Sequence, residues 1–196
     1  MTGGVLALQV LTNLAFSHPG PGLPGGWTLQ RIRHVGPPQY SVTAGHALRV
    51  AANAEAGFAY HRLRVPLRPT HGKLIWRWRT DTPLRHASLH SRERDDSPVR
   101  VFLAFDDGRM LYYSWGNGEP VGDTFRSWTG DSRAVIVLRR AEDANGSWYL
   151  ETRDPFADYR RAFDHAPHPI VAVGVGADTD QLHDHAVADV GEISWE

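Results

Sequence analysis

Residues 72 to 80 read Gly-Lys-Leu-Ile-Trp-Arg-Trp-Arg-Thr, and this run constrains the fold more than any other part of the chain. Successive side chains of a β-strand point to opposite faces. Leu74, Trp76 and Trp78 then share one face, and Lys73, Ile75, Arg77 and Arg79 the other. A strand with indoles on one side and guanidiniums on the other suits a sheet whose inner face packs on a second sheet and whose outer face is open. A one-residue slip would reverse every such assignment.

The rest of the chain repeats the pattern. Apolar or alternating runs lie near 27–33, 38–43, 46–52, 57–66, 72–80, 98–106, 109–116, 133–140, 146–153, 168–177 and 185–195. Between them stand turn signals, among them Asp106-Asp107-Gly108, Asn117-Gly118 and Asn145-Gly146. Asp-Gly and Asn-Gly favour hairpins because both residues tolerate positive φ. The runs 134–138 and 170–173 are apolar on both faces, as expected of strands covered on both sides. Only 155–164 has helical spacing, with Pro155 in the first turn and Phe156, Tyr159 and Phe163 on one face. The expectation is an all-β protein: an antiparallel β-sandwich of jelly-roll type with one short helix near 155–164.

A length of 196 residues suits one such domain, 1–196, with 1–26 as an N-terminal segment and Pro/Gly linker leading into it. The apolar stretch at 5–16 lacks a basic flank and a small-residue cleavage site, so it reads as a first strand or short helix, and a cytoplasmic location is expected. It is too short and too polar to span a membrane. With 21 Lys and Arg against 22 Asp and Glu, no net field draws the protein to nucleic acid or an anionic membrane. The chain has no cysteine, which excludes disulfides and thiolate chemistry.

Six segments occur in a telling order: GLPGGW at 22–27, WRW at 76–78, RERDDSPVRVFLAFD at 92–106, YYSWGN at 112–117, DYRRAFDHAPHPIVAVGV at 158–175, and DTD at 178–180 followed by GEISW at 191–195. Together they resemble a bacterial family known only as a domain of unknown function, over nearly the whole chain from about Phe16 onward. The resemblance implies a jelly-roll sandwich, similar in architecture to carbohydrate-binding modules and concanavalin-like domains. It implies no activity. Relatives tend to read DTDNT where this chain reads DTDQL and continues into His183-Asp184-His185.

Three sets of side chains offer chemistry. The aromatic set is Trp76, Trp78, Tyr112, Tyr113, Trp115, Trp128 and Trp148; flat rings supply apolar contact at low entropy cost, and the plainer reading is a core built from large rings. Tyr112 and Tyr113 face opposite ways, so one of them reaches an open face. The arginine set is Arg62, Arg64, Arg77, Arg79 and Arg100; neighbouring strands would align it into a basic stripe able to hold an organic acid. The acidic set is Asp95-Asp96, Asp106-Asp107, Asp178 and Asp180, with no spacing of a calcium loop, so no metal is expected. His183 and His185 would share one face of a strand and lack a third ligand. No nucleophile elbow, phosphate loop, dinucleotide fingerprint or zinc-helix motif is present, and no cofactor is expected.

These readings converge on a protein that binds a bulky organic small molecule in an aromatic- and arginine-lined cleft, acting on it, if at all, as a cofactor-free cyclase or isomerase that works by orientation. The ligand contacts are placed at Arg77, Arg79, Arg100, Tyr113, Trp115, His183 and His185. The alternative is a carbohydrate-binding module without catalysis. A closed cavity between the sheets would favour the first reading, and a shallow groove lined by rings the second.

Overall fold

A computed structural model describes residues 13–70 and 72–196. The apolar stretch at 5–16 lies outside the described residues except for its last four, of which Leu14 and Phe16 are buried in the core. The strands are β1 (Asn13–Leu14), β2 (Gly20–Pro21), β3 (Trp27–Arg31), β4 (Gln39–Val42), β5 (Leu48–Asn53), β6 (Ala56–Leu67), β7 (Leu74–Thr80), β8 (Ser97–Phe105), β9 (Met110–Trp115), β10 (Thr124–Arg126), β11 (Arg133–Arg139), β12 (Tyr149–Arg153), β13 (Ile170–Asp178) and β14 (His185–Trp195). Among the described residues the single α-helix, α1, spans Pro155–Phe163. Among the described residues no helix is long and apolar enough to cross a membrane.

The strands form two sheets and the fold is an all-β sandwich. The first sheet runs β12-β7-β14-β5-β4-β2, with β1 also on β14; the second runs β10-β11-β9-β8-β13-β6-β3. Alternation in β7 falls as the sequence implies: Leu74, Trp76 and Trp78 point inward and Arg77 outward. Across the interior the second sheet answers with Leu111, Tyr113 and Trp115 of β9. Trp76 lies 5.2 Å from Tyr113 and Trp78 lies 5.5 Å from Trp115, ring centre to ring centre. These rings occupy the space between the sheets. Truncating one of them to alanine would cost about 3–5 kcal/mol, since a void of that size does not collapse.

The Asp106-Asp107-Gly108 turn joins β8 to β9 as a hairpin, with Gly108 at φ +83° and the Phe105 N–H on the Arg109 carbonyl at 2.9 Å. Asn117-Gly118 does otherwise. The structure corrects the purely antiparallel expectation: β9 and β11 pair in parallel. The Asn117 amide donates to the Asp96 carbonyl at 2.9 Å, which ties the chain to the loop before β8. The chain then crosses to β10, antiparallel to β11, and returns beside β9 in the same direction.

Helix α1 closes one end of the sandwich. Asp154 caps it by accepting from the Phe156 and Ala157 N–H groups, Pro155 occupies the first turn, and Asp164 ends it at φ +54°. Phe156 meets Trp195 and Tyr159 meets Phe105 at 5.6 and 4.6 Å. Asp158 receives the buried Tyr113 hydroxyl at 2.9 Å and the Arg153 guanidinium.

Candidate functional site

The outer face of the second sheet carries an open groove of about 650 Å³, within the size range of ligand pockets. Its floor follows from register. Tyr60 pairs with Gly174, Gly174 with Phe102, Phe102 with Tyr112, and Tyr112 with Val135, so one row of outward residues crosses five strands. The next row runs Phe58, Gly176, Arg100, Ser114. Gly174 and Gly176 take no side chain because a Cβ at either would collide with the ring of Phe102 or Phe58. The two glycines therefore leave room for the neighbouring rings against the sheet. Phe58, Phe102 and Tyr112 form a triangle with centre distances of 5.3, 5.7 and 5.9 Å.

Loops make the walls. Leu89 comes from the segment before β8, and Trp128 from the β10–β11 turn. Trp128 is 43% exposed, and its indole N–H donates to Asp95 Oδ2 at 2.7 Å, which locks the two loops together. Arg31, Arg62 and Arg133 stand along the lining.

One end of the groove is ionic. Arg100 reaches Asp178 Oδ2 at 3.3 Å and donates to the Asp95 carbonyl, with Asp95 Oδ2 at 3.8 Å. Asp96 accepts from the Gln181 and Leu182 N–H groups at 3.1 and 3.0 Å. Burial holds the Asp178 carboxyl well above the usual carboxylate range; Arg100 opposes this, and Asp180 and Asp95 add to it. Burial likewise raises Asp95 and Asp96, against Arg100 for the first and the two backbone donors for the second.

The structure does not bring the seven expected ligand contacts together. Arg100 lines the groove. Tyr113 and Trp115 are fully buried between the sheets; the open-face tyrosine of the pair is Tyr112. Arg77 and Arg79 lie on the outer face of the first sheet, stacked on the Trp148 ring at 4.7 and 4.8 Å. The arginine stripe does not form, because β6 and β7 belong to different sheets. His183 sits at φ +53° in the turn before β14, where strand alternation does not apply, and His185 borders a smaller recess with Arg49, Arg79 and Asp189.

Sequence reasoning missed Phe58, Tyr60 and Phe102 as the floor. A signal existed in β8: once Arg100 faces outward, Phe102 and Ala104 must follow it. In β9, Leu111, Tyr113 and Trp115 form the apolar triple that suits a core, leaving Tyr112 with Met110 and Ser114 outside.

A two-sheet, all-β protein with an open, ring-floored groove on one outer face is the class that this architecture defines. The chain belongs to the family described as protein of unknown function (DUF3047), whose pattern matches residues 25–194. No curated protein matches it in sequence. Among solved structures it is similar to a xylan-binding module, CBM15, at 11% identity, 95% coverage of each chain and a TM-score of 0.49. It is also similar to a thermostable cellulase derived from the Cel12A cellulase of Rhodothermus marinus, at 14% identity, 95% and 99% coverage and 0.46. A third is the K1 cleaved adhesin domain of Lys-gingipain from Porphyromonas gingivalis, at 10% identity, 95% and 97% coverage and 0.45.

Proposed function

We propose that this protein binds a carbohydrate chain along the groove on the outer face of its second sheet. One observation carries the reading: the rings that could meet a ligand floor an open depression on the outside, while the space between the sheets is filled by Trp76, Trp78, Tyr113 and Trp115. Sugar rings present apolar C–H faces that settle on aromatic surfaces, and their hydroxyls need polar partners nearby. Tyr60 and Trp128 offer the first, and Arg62, Arg133 and the Asp95–Arg100–Asp178 group the second.

Affinity electrophoresis and calorimetry against neutral and acidic polysaccharides test this. Binding is expected, with a loss of tenfold or more in Trp128→Ala and Tyr60→Ala, since exposed anchor rings carry most of the energy of such a contact. Arg77→Ala, on the opposite face, is expected to bind normally. The reading is lost if no polysaccharide binds wild type, or if the groove variants bind as tightly as it does.

A second reading rests on the arginines. Arg31, Arg62, Arg100 and Arg133 in one apolar-floored groove also suit a bulky organic acid, held by bidentate bonds and turned over, if at all, without a cofactor. A thermal-shift screen separates the two: hydrophobic acids that stabilise the fold while oligosaccharides do not would replace the first reading with the second.

A further inference from the structure

Two segments far apart in the chain bring four carboxylates together, two of which, Asp95 and Asp178, face Arg100. Asp95 and Asp96 stand just before β8, Asp178 ends β13, and Asp180 follows in the next turn. One oxygen from each of Asp96, Asp178 and Asp180 lies within 4.8 Å of the other two. Oxygens around a single calcium ion, each at 2.3–2.6 Å, are at most about 5 Å apart, so the spacing fits one ion.

The hydrogen bonding there is incomplete. Asp178 is 7% exposed; its Oδ2 faces Arg100, and its Oδ1 has no hydrogen-bond donor. The Asp180 carboxylate, another acceptor, lies within hydrogen-bonding reach of Asp178. Asp95 is 6% exposed, and its Oδ1 has no donor either. Buried acceptors without donors are costly, and two carboxylates this close need a proton or a cation between them. Four carboxylates against one guanidinium leave a formal charge of −3, from −4 and +1, which a divalent cation reduces to −1. The acceptors left over are oxygens, the donor set of a hard cation, and the one donor left over on the arginine is Arg100 Nε.

We propose that Asp96, Asp178 and Asp180, with Asp95 beside them, bind one divalent cation of the calcium class. The ion fastens the turn after β13 to the segment before β8, at the ionic end of the groove. The site is independent of what the groove holds, because it needs only the metal.

The test uses the full chain, stripped with chelator and titrated with calcium chloride, and with magnesium chloride in parallel, by thermal melting and calorimetry. At a hundredfold excess over Kd, calcium is expected to raise Tm by roughly 5–10 °C, with magnesium weaker. Terbium is expected to luminesce on tryptophan excitation through Trp128, which is bonded to Asp95. Asp180→Asn alters a half-buried side chain and is expected to keep the fold while weakening calcium at least tenfold. Asp106→Asn, in the separate Asp106–Asp107–His168 cluster, is expected to leave calcium binding unchanged. Calcium that neither binds nor stabilises wild type, or that acts equally on Asp180→Asn, overturns the proposal, as does an effect lost only in Asp106→Asn.

Discussion

Two ion clusters sit on opposite outer faces of this sandwich, and they are built on opposite balances. On the first sheet one carboxylate serves two guanidiniums: Asp189 accepts from Arg49 at 2.7 and 3.0 Å and from Arg79 at 3.0 and 2.8 Å. Both oxygens are filled. Burial pushes the Asp189 carboxyl up, but the two arginines outweigh it and hold it below its ordinary value. On the second sheet one guanidinium serves two carboxylates, Asp178 and Asp95, and each keeps a buried oxygen without a donor. The first cluster is complete and works as a fastener. The second is incomplete in its own fold.

The comparison breaks most visibly at Arg100. Arg100→Leu leaves Asp178 and Asp95 buried without a cation and is expected to cost about 3–5 kcal/mol of stability in chelator, read by urea unfolding. A loss under 1 kcal/mol would mean that the carboxylates relax to water and that the cluster is not a closed unit. Next come two substitutions of opposite sign. Asp189→Asn is expected to cost about 1–3 kcal/mol because it breaks charge-assisted bonds. Asp178→Asn, in chelator, is expected to gain about 1 kcal/mol, since it removes a buried repulsive charge. The same sign for both would erase the distinction.

Acidification sharpens the contrast. Asp189 has a depressed folded pKa, so its stabilisation is present above the unfolded carboxylate value, near 4, and fades only as pH falls through the lower folded value. Asp178 has a raised folded pKa, so its penalty is present at neutral pH and is relieved as pH falls toward 4. The advantage of metal-free Asp178→Asn over wild type should therefore shrink between pH 7 and pH 4, while the deficit of Asp189→Asn persists over that range. Melts at matched pH values check both. The smallest effect belongs to Trp148→Ala, which removes the ring between Arg77 and Arg79 and is expected to cost about 0.5–1 kcal/mol with groove binding intact.

Local pattern told much of the fold. Each of the eleven runs placed by alternation and turns contains a strand, and the helix expected at 155–164 is found at Pro155–Phe163. Alternation also oriented Trp76 and Arg77 as observed. What local pattern did not contain is which sheet each strand joins. Arg62 and Arg77 look alike in sequence, yet one lines the groove and the other stands on the opposite side of the molecule. Tyr112 and Tyr113 differ only by one position, and the choice between them rests on Leu111 and Trp115 sharing the inner face. Asp96 and Asp178 meet only because β8 and β13 pair with Ser97 opposite Asp178, a long-range register that no spacing announces.

The parallel pairing of β9 with β11 has a consequence for how the groove is walled. The crossover that it requires carries the short edge strand β10 and ends in the turn bearing Trp128, which leads into β11. One wall of the groove thus comes from a segment separate in sequence from the floor strands β6, β8 and β13.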